Sequence, residues 1–450
     1  MKRFWKDKKF LKAMLAIALP ITLQNLITSS LNMVDTLMIS SLGQASIAAV
    51  GLANQLFFFY FLIVFGINSG SSIFIAQFWG KDDIPNIKRI LGLAVTLSSV
   101  VGVIFTIVAF FKPEFVMQIF IKEPEVVKLG SDYLRIVSLS YIITAIAFAY
   151  SVAARSIGQA RMPMVVSAIS FVTNTVFNYL LIFGKFGFPE LGVKGAAYGT
   201  LIARIVELGF ILYASYSNLG PLNATIKELT DWNKEFVNRY LKTTYPVILN
   251  EGFWALGQVM YSIAYARIGE EATAAVQIAT TIQNVFMVIS RGLANACTVM
   301  VGNKIGAGDE EQAYNYATQF LTMATLFGLV LGITLSLSPD LTLKLFRNLE
   351  PNLYNLSKKM LVVMGIFFFL KMFNSTLIVG VLRGGGDTTF SLVIEMGAVW
   401  LVGVPLAFIG ALVFKLPVYL VVALVSLEEV TKAIIGLPRV KSKRWVKNVT

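Results

Sequence analysis

The sequence predicts an all-α integral membrane protein with about twelve transmembrane helices in two pseudo-symmetric six-helix lobes. Three observations support this prediction: the composition, the spacing of the apolar segments and an internal repeat. Of the 450 residues, 56% are hydrophobic and only 14% are charged, and the mean hydropathy is +0.72. A soluble domain carries about a quarter charged residues, so this surplus of apolar side chains needs the lipid bilayer as its solvent.

The apolar segments have the length that a bilayer requires, since a helix needs roughly 20 residues to cross the hydrocarbon core. We predict spans over residues 11–39, 46–78, 90–111, 130–154, 163–183, 195–216, 240–266, 274–301, 314–337, 356–382, 390–414 and 418–435. The first segment is too long, and too interrupted by Pro20 and Asp35, for a cleaved signal peptide. We expect it to remain as the first span.

The distribution of Lys and Arg orients the predicted bundle. Twenty-four of the 38 fall on one side of the spans, Arg383 and Lys432 among them, and 11 fall on the other side. Positively charged loops face the cytoplasm, so we expect both termini to be cytoplasmic, with the protein in the plasma (inner) membrane. The net charge of +13 then reflects topology and contact with anionic lipids, and we expect no nucleic-acid partner.

The residue types present exclude several kinds of chemistry. The chain has no His, which excludes Ser-His-Asp triads and the zinc and haem sites that need an imidazole. The single cysteine, Cys297, lies in an apolar run, and we interpret it as a packed side chain. We therefore predict that the protein is not an enzyme and that it uses no cofactor.

The two halves of the sequence repeat each other. A shift of 226 residues places Pro20 over Pro246 and aligns several Gly and Ala positions without a gap. We predict an N-terminal lobe over residues 1–218, a cytoplasmic connector over 219–239 and a C-terminal lobe with a basic cytoplasmic tail over 240–450. An even number of spans in each copy makes the repeats parallel, an architecture typical of alternating-access transporters.

Four polar side chains from three spans of the first lobe fall at a similar depth: Asp35, Asn174, Asn178 and Thr200. A carboxylate costs about 2.5–3.5 kcal/mol at the centre of a membrane helix, so Asp35 is a functional candidate. Carboxylate, amide and hydroxyl oxygens suit sodium, a hard cation, whereas Asp35 could instead carry a proton. A polar cluster that only fixes helix packing is a third interpretation.

The second lobe carries different polar residues. Glu251 lies near the middle of the seventh span, with Trp254 and Gln258 at neighbouring positions, and Lys371 lies deep in the tenth span. We predict that these four residues belong to the substrate cleft or to the coupling mechanism. A Glu251–Lys371 ion pair would lower the cost of burying both charges, but the sequence leaves its formation open.

Three further features are weaker indications. Arg204 and Glu207 are interpreted as a local helix pair, and Glu395 is a minor site candidate. Pro20 and Pro246 hold equivalent positions in the first and seventh spans, where we expect them to bend the helices as hinges.

Motifs along nearly the whole chain resemble those of the multidrug and toxic compound extrusion (MATE) family. They include ALPITLQNL and NMVDTLMISSLG in the first span, AQFWGKDD after the second, YPVILNEGFWALG in the seventh and VGNKIGAGDEEQA after the eighth. The resemblance implies a cation-coupled antiporter that expels organic, often cationic, compounds by using inward sodium or proton flow. It also implies a cation site at Asp35, Asn174, Asn178 and Thr200. Lys371 departs from the aspartate of some relatives, which favours coupling through Asp35.

Other functions fit the sequence less well. A flippase of the same superfamily, moving lipid-linked oligosaccharides, would need a strongly cationic cavity, and the later spans offer only Arg204 and Lys371. An intramembrane protease is suggested by a GxGD pattern that ends at Asp387, but that residue falls in a basic turn. No sequence typical of an ion-channel filter is present. We expect a monomer whose partners are small organic substrates and membrane lipids.

Overall fold

The structure is a computed structural model that describes residues 8–217, 220–344, 346 and 349–450. This part of the chain is helical and contains no β-strand. It forms two compact units: the N-terminal unit, Leu19–Thr244, and the C-terminal unit, Met1–Ala18 with Tyr245–Thr450 as far as they are described. The predicted lobe boundary at residues 218 and 219, and Lys2, Arg3, Lys6 and Arg347 of the charge count, lie outside the described residues.

The N-terminal unit consists of long apolar helices joined by short turns. Its helices are α1 (Lys8–Ser40, from Leu19 onward), α2 (Gln44–Gly80), α3 (Ile84–Phe111), α4 (Pro113–Phe120), α5 (Pro124–Val137), α6 (Leu139–Ser156), α7 (Arg161–Phe183), α8 (Val193–Tyr216), α9 (Ile226–Leu229) and the start of α10 (Lys234–Ala266). Local signals fix the ends: Asp83 caps α3 by accepting from the Asn86 backbone N–H, and Gly184 ends α7 in the left-handed conformation.

The C-terminal unit has a similar series of helices, interrupted by π-helical segments. After the remainder of α10 come α11 (Glu270–Gly306), α12 (Glu310–Leu337), α13 (Pro339–Leu343), α14 (Pro351–Ser375), π1 (Thr376–Arg383), α15 (Thr388–Ala398), π2 (Val399–Gly403), α16 (Val404–Phe408), π3 (Ile409–Val413), α17 (Val418–Val425) and α18 (Leu427–Lys441). Short π-helical segments within α-helices occur frequently at functional sites, because they change which face a side chain occupies. The segment π1 ends at Arg383.

The predicted all-helical fold class is confirmed. Ten described helices are long and apolar enough to cross a membrane. The predicted seventh span corresponds to α10, whose charged side chains lower its hydropathy, and the predicted twelfth span is divided between α17 and α18 at Ser426. Both elements fit a layout of twelve membrane helices.

Each unit is held together by close helix packing and buried aromatic side chains. In the N-terminal unit, the rings of Tyr60 and Tyr141 stack with centroids 4.9 Å apart, and Tyr60 Oη donates to the Tyr141 carbonyl at 2.6 Å. In the C-terminal unit, α12 packs against α14 where a Cβ on Gly332 would lie 2.4 Å from the Gly365 carbonyl oxygen. Small residues allow membrane helices to approach this closely, since lipid provides no hydrophobic driving force between them.

Two helices contribute residues to both units, and the division falls just before a proline in each. In α1 it lies between Ala18 and Leu19, and in α10 between Thr244 and Tyr245, which places Pro20 and Pro246 at matching positions. A proline within a helix leaves the carbonyl four residues earlier without its backbone donor, and such positions commonly bend. The hinge role of these prolines remains a prediction.

Candidate ion-binding site

Asp35 belongs to a chain of hydrogen bonds in the N-terminal unit. Its Oδ1 accepts from Asn178 Nδ2 at 2.6 Å, and the same nitrogen donates to Asn174 Oδ1 at 3.1 Å. Asn174 Nδ2 donates to Thr200 Oγ1 at 3.4 Å. The structure therefore brings together all four residues that the sequence indicates as a cation site, on α1, α7 and α8. Their role as ion ligands stays a prediction.

The sequence of α7 and α8 explains how this cluster forms. Asn174 and Asn178 are one helical turn apart, so both face α8, and both are buried. A Cβ on Gly199 of α8 would lie only 2.1 Å from Asn178 Oδ1. A larger residue at position 199 would displace that oxygen, so glycine is required for the asparagine to take this place.

One oxygen of this cluster is buried without a hydrogen-bond donor. Among the described residues, none donates to Asn178 Oδ1. A buried carbonyl-type oxygen in that condition is costly, and a bound cation would satisfy it. The Asp35 carboxylate and the amide and hydroxyl oxygens of Asn174, Asn178 and Thr200 are atoms of the kind that hard cations prefer as ligands.

The charges near Asp35 leave its carboxylate without a close cation. Arg204 Nη1 donates to Glu207 Oε2 at 2.6 Å, the local helix pair that the sequence indicates, and acts on Asp35 only at longer range. Within the described residues, no Lys or Arg lies at ion-pair distance from Asp35. With Arg204 neutralised by Glu207, this cluster carries one surplus negative charge when Asp35 is ionised.

A buried tyrosine completes the surroundings of the cluster. The hydroxyl group of Tyr133, on α5, lies beside Thr200 and Asn54. Sequence reasoning did not identify Tyr133 or Asn54, because their approach depends on how α2 and α5 pack against α8. The signal that could have identified Asn54 is its polar side chain within an apolar span.

The polar residues of the C-terminal unit form a different arrangement. Glu251 Oε1 accepts from Arg383 Nη1 at 2.7 Å, and Arg383 Nη2 lies 3.7 Å from Glu395 Oε2. Asn250 Nδ2 donates to the same Glu395 oxygen at 2.5 Å. We name this group the Arg383 bridge: Arg383, Glu251, Glu395 and Asn250. Glu395, which the sequence ranked as a minor candidate, is therefore a central member.

The Glu251–Lys371 ion pair that the sequence left open is absent from the described structure. Lys371 Nζ instead donates to the neutral Gln283 Oε1 at 2.8 Å. Arg383 pairs with Glu251 in place of Lys371, because Arg383 lies at the end of π1 and is only 2% exposed. The sequence counted Arg383 with the charges of the cytoplasmic turn after the tenth span, whereas the structure buries it at the end of the helical segment π1.

A second charged cluster surrounds Lys432 on α18. Lys432 Nζ lies 3.3 Å from Glu428 Oε1 and 3.6 Å from Glu429 Oε1, and all three residues are buried. Tyr261 donates to Glu428, and Asn374 Nδ2 donates to Glu429 Oε2 at 2.7 Å. Lys432, counted by the sequence among the charges of the cytoplasmic side, is thus buried and paired in the structure.

The sequence did contain a signal for the Lys432 cluster. Glu428 and Glu429 precede Lys432 by four and three residues, the spacings at which helical side chains meet. All three fall within the predicted twelfth span, where charges require partners. The excess of Lys and Arg on the predicted cytoplasmic side persists without Arg383 and Lys432.

The remaining predicted residues have simpler surroundings. Trp254 is 37% exposed, and Gln258, one turn further along α10, is also exposed. They share a face of the helix, and their role in substrate binding is not tested by their contacts. Among the described residues, no group of three or more His, Cys, Asp and Glu side chains could hold a metal ion.

Comparison with known proteins decides the family. The family model described as MatE matches residues 20–180 and 246–409, which together make up well over half of the chain. The chain belongs to the MatE family. The two MatE segments begin 226 residues apart, at Pro20 and Pro246, so the family match independently detects the internal repeat. It also confirms the MATE resemblance of the sequence motifs.

Individual MATE proteins support the same conclusion. A probable multidrug resistance protein NorM of Thermotoga maritima is 26% identical over 90% of this chain and 86% of its own length. A MATE protein solved in complex with MaL6 is 21% identical, with a TM-score of 0.88 over 96% of this chain and 97% of that chain. An outward-facing multidrug resistance MATE transporter gives a TM-score of 0.87 at 21% identity, over 96% of each chain. At these identities the solved structures show the fold alone.

Membership of the MATE family makes this chain a membrane transporter rather than an enzyme, as the sequence predicts. With ten described helices apolar enough to span, it is a multi-pass membrane protein. Asp387, which ends the GxGD pattern, is buried, and both of its carboxylate oxygens accept from basic side chains, Arg439 Nε at 2.8 Å and Lys447 Nζ at 2.6 Å.

Proposed function

We propose that this MATE protein is a cation-coupled multidrug antiporter that exports organic, mainly cationic, compounds by alternating access. The coupling ion, sodium or a proton, binds at Asp35. The protein acts as a monomer without a cofactor in the plasma membrane, with both termini in the cytoplasm and lipids as its surroundings. The relative from Thermotoga maritima, a probable multidrug resistance protein, supports drugs as the substrate class.

The observation that carries the proposal is the surplus charge at Asp35. A carboxylate within a membrane helix is costly unless a cation or a proton neutralises it, and the described residues supply no close cation. Asn178 Oδ1 is buried without a donor, and we propose it as a further oxygen ligand of the ion. Both features favour a mobile cation over a cluster that only fixes helix packing.

An apolar groove in the same unit offers room for the apolar body of a substrate. It is an open surface groove of about 540 Å³ between α1 and α7, lined by Leu23, Ile27, Val165 and Ile169 among others. Drug-sized ligands occupy cavities of about 300–1,000 Å³ with mainly apolar walls. Its low polarity suits varied lipophilic compounds better than one specific polar substrate.

Coupling requires that the ion bind two conformations of the transporter with different affinity. Asp35 is on α1, the helix that also contains Pro20. We propose that neutralisation of Asp35 changes the preferred conformation of α1 near Pro20, and that this change returns the empty transporter to its inward-open state. The direction of drug movement is then opposite to that of the ion.

The test is efflux of a fluorescent lipophilic cation, ethidium, from proteoliposomes under an imposed sodium gradient or pH gradient. We expect one of the gradients to drive efflux by the wild type, Asp35→Asn to abolish the gradient-driven component, and Asp340→Asn to leave it unchanged. Asp340 is a matched control because its side chain is half-exposed and already has a close cation, Lys358 Nζ at 2.9 Å. Equal efflux by Asp35→Asn and the wild type under the driving gradient would remove Asp35 from the coupling path.

The flippase is the remaining alternative, and the same preparation tests it. Its predicted anionic ligand needs a strongly cationic cavity, yet the charge of Arg204 is neutralised by Glu207, and of the two candidates only Lys371, which donates to the neutral Gln283, keeps its charge. Should neither gradient drive ethidium efflux by correctly inserted protein, movement of a fluorescent lipid-linked oligosaccharide between leaflets is the next measurement.

A further inference from the structure

Arg383 connects three helical segments of the C-terminal unit. Its side chain is 3% exposed, and each of its guanidinium nitrogens faces an oxygen. Nη1 donates to Glu251 on α10 at 2.7 Å, Nη2 lies 3.7 Å from Glu395 on α15, and Nε donates to Ser391 Oγ at 3.5 Å. One cation therefore serves two carboxylates that come from different helices.

The oxygen atoms around the guanidinium resemble the ligand set of an ion. They comprise the two carboxylates, the Ser391 hydroxyl and the amide of Asn250, whose Nδ2 binds Glu395. Asn250 Oδ1 is buried without a donor among the described residues, and Asn250 itself is 1% exposed. Without the guanidinium, the same place would present carboxylate, amide and hydroxyl oxygens, which are the ligands that hard monovalent cations prefer.

Two other cations act on these carboxylates from a greater distance. Arg291 on α11 interacts electrostatically with Glu251, and the charge of Lys432 on α18 acts on Glu395 more strongly than that of Arg383, although no ion-pair contact joins them. Neither lies within ion-pair distance of them, and Lys432 is bonded to Glu428 and Glu429. Among the described residues, Arg383 alone contacts both members of the carboxylate pair.

The location of Arg383 depends on the π-helical segment. Residues Thr376–Arg383 continue α14 with wider turns, which alter the face on which the last residue emerges. Behind it, a Cβ on Gly384 would lie 2.8 Å from the Thr298 Cα of α11 and 2.3 Å from the Gly380 carbonyl oxygen. This tight packing holds the end of π1 inside the unit, so the arginine is fixed in place.

We infer that Arg383 is a tethered counter-cation, which occupies the place between Glu251 and Glu395 that a mobile monovalent cation would otherwise take. Arg383 is thus a specificity-determining residue for ion coupling, because it keeps the C-terminal unit from binding a coupling ion. Removal of its charge creates a new site for sodium or for a proton. The statement that coupling is confined to Asp35 rests on the proposed function, whereas the creation of a site does not.

The experiment compares full-length protein in detergent with and without Arg383, in an Asp35→Asn background that removes the proposed site. Radioactive sodium binding and the unfolding temperature in sodium chloride against choline chloride are measured at pH 7. We expect Asp35→Asn/Arg383→Gln to bind one more sodium ion per chain than Asp35→Asn, or to gain thermal stability on acidification without sodium. The first result names sodium as the ion and the second names the proton.

Two controls separate charge from general disruption. Arg383→Lys keeps the cation and should gain no ion site. Arg439→Gln removes the charge of another arginine that pairs with a carboxylate, Asp387, which Lys447 also neutralises. If the wild type binds sodium and Asp35→Asn binds as much, sodium coupling at Asp35 fails, and the extra binding by Arg383→Gln still tests this inference.

Two double variants keep the test decisive if Arg383→Gln folds poorly. Arg383→Gln/Glu251→Gln and Arg383→Gln/Glu395→Gln each keep the net charge of the wild-type trio of Arg383, Glu251 and Glu395, one negative charge, but leave the remaining carboxylate without a tethered cation, as at Asp35. The inference is overturned if the folded variants show no gain in sodium binding and no stabilisation by sodium or acid. It is equally overturned if none of the three folds in sodium or at low pH, since an ion should replace a counter-cation.

Discussion

The two units stabilise charge in opposite ways. In the N-terminal unit, Asp35 bonds to the neutral amide of Asn178, and the nearby Arg204 is already neutralised by Glu207. In the C-terminal unit, the charges of the Arg383 bridge and of the Lys432 cluster contact each other directly. A membrane protein can therefore neutralise a carboxylate with a tethered side chain or with a mobile ion, and only the mobile ion connects the protein to a gradient.

The largest effect should come from removing a tethered cation. Lys432→Met leaves Glu428 and Glu429 buried without their cation, and breaking a buried ion pair in this way costs about 3–5 kcal/mol. Asp35→Asn removes a carboxylate that has no close cation, so we expect it to maintain or raise stability. Thermal unfolding in sodium-free detergent solution measures both.

Lys441→Met is the matched control for Lys432→Met, because Lys441 lies exposed on the same helix. The comparison between the units would be wrong if Lys432→Met melted at the wild-type temperature while Asp35→Asn lost several degrees. That outcome would make Asp35 the tethered charge and Lys432 the dispensable one.

A smaller effect should follow from displacing an ion ligand without changing any polar group. Gly199→Ala places a methyl group 2.1 Å from Asn178 Oδ1, and overpacking of this kind costs about 1–3 kcal/mol. We expect the protein to fold, with weaker ion binding at Asp35 and slower gradient-driven efflux. Gly209→Ala is the control on the same helix, since no atom lies within 4 Å of its added Cβ. Equal loss in both variants would show that the effect is not local to the cluster.

Adding charge to the N-terminal cluster should have the reverse effect. Asn178→Asp places a second carboxylate beside Asp35, and cation affinity rises with the number of charged ligands. We expect tighter sodium or proton binding by about tenfold, equivalent to about 1.4 kcal/mol. Calorimetric sodium titration and the pH dependence of efflux measure it. Weaker binding of both ions would mean that the ion depends on the Asn178 amide itself and gains nothing from a second carboxylate beside Asp35.

The sequence predicted the site of the N-terminal unit better than the network of the C-terminal unit, for a physical reason. Asn174 and Asn178 are one turn apart in one span, so helical periodicity alone places them on one face. Arg383 reaches Glu251 across 132 positions in the sequence, and it does so because π1 changes the register of its helix. Hydropathy places an arginine at the end of a span in a loop, and no local pattern reports a π-helical turn.

The Lys432 cluster shows a different limit of the sequence. Its Glu and Lys spacing was visible, but positive charges near the end of a chain of apolar spans normally mark a cytoplasmic tail. Burial, which the sequence does not provide, distinguishes the two cases. The twelve-span fold and its repeat were predictable because they depend on apolar length and periodicity, which are local properties.

The smallest effect should come from an exposed ion pair, which sharpens the contrast with buried ones. The hydrogen bond from Lys88, at 2.8 Å, and that from the Thr225 backbone lower the pKa of the Glu228 carboxyl to about 2. Because the folded state lowers this pKa, the pair adds stability above the ordinary pKa of glutamate and loses it as the pH falls toward about 2. Glu228→Gln should therefore lower the unfolding temperature slightly at pH 7 and not at all near pH 2.

Salt at about 1 M, where the Debye length is about 3 Å, should reduce the difference at pH 7, because 44% of the Glu228 side chain is exposed. If Glu228→Gln lost as much stability as Lys432→Met, solvent exposure would not explain why an ion pair of the connector contributes less than the buried Lys432 cluster.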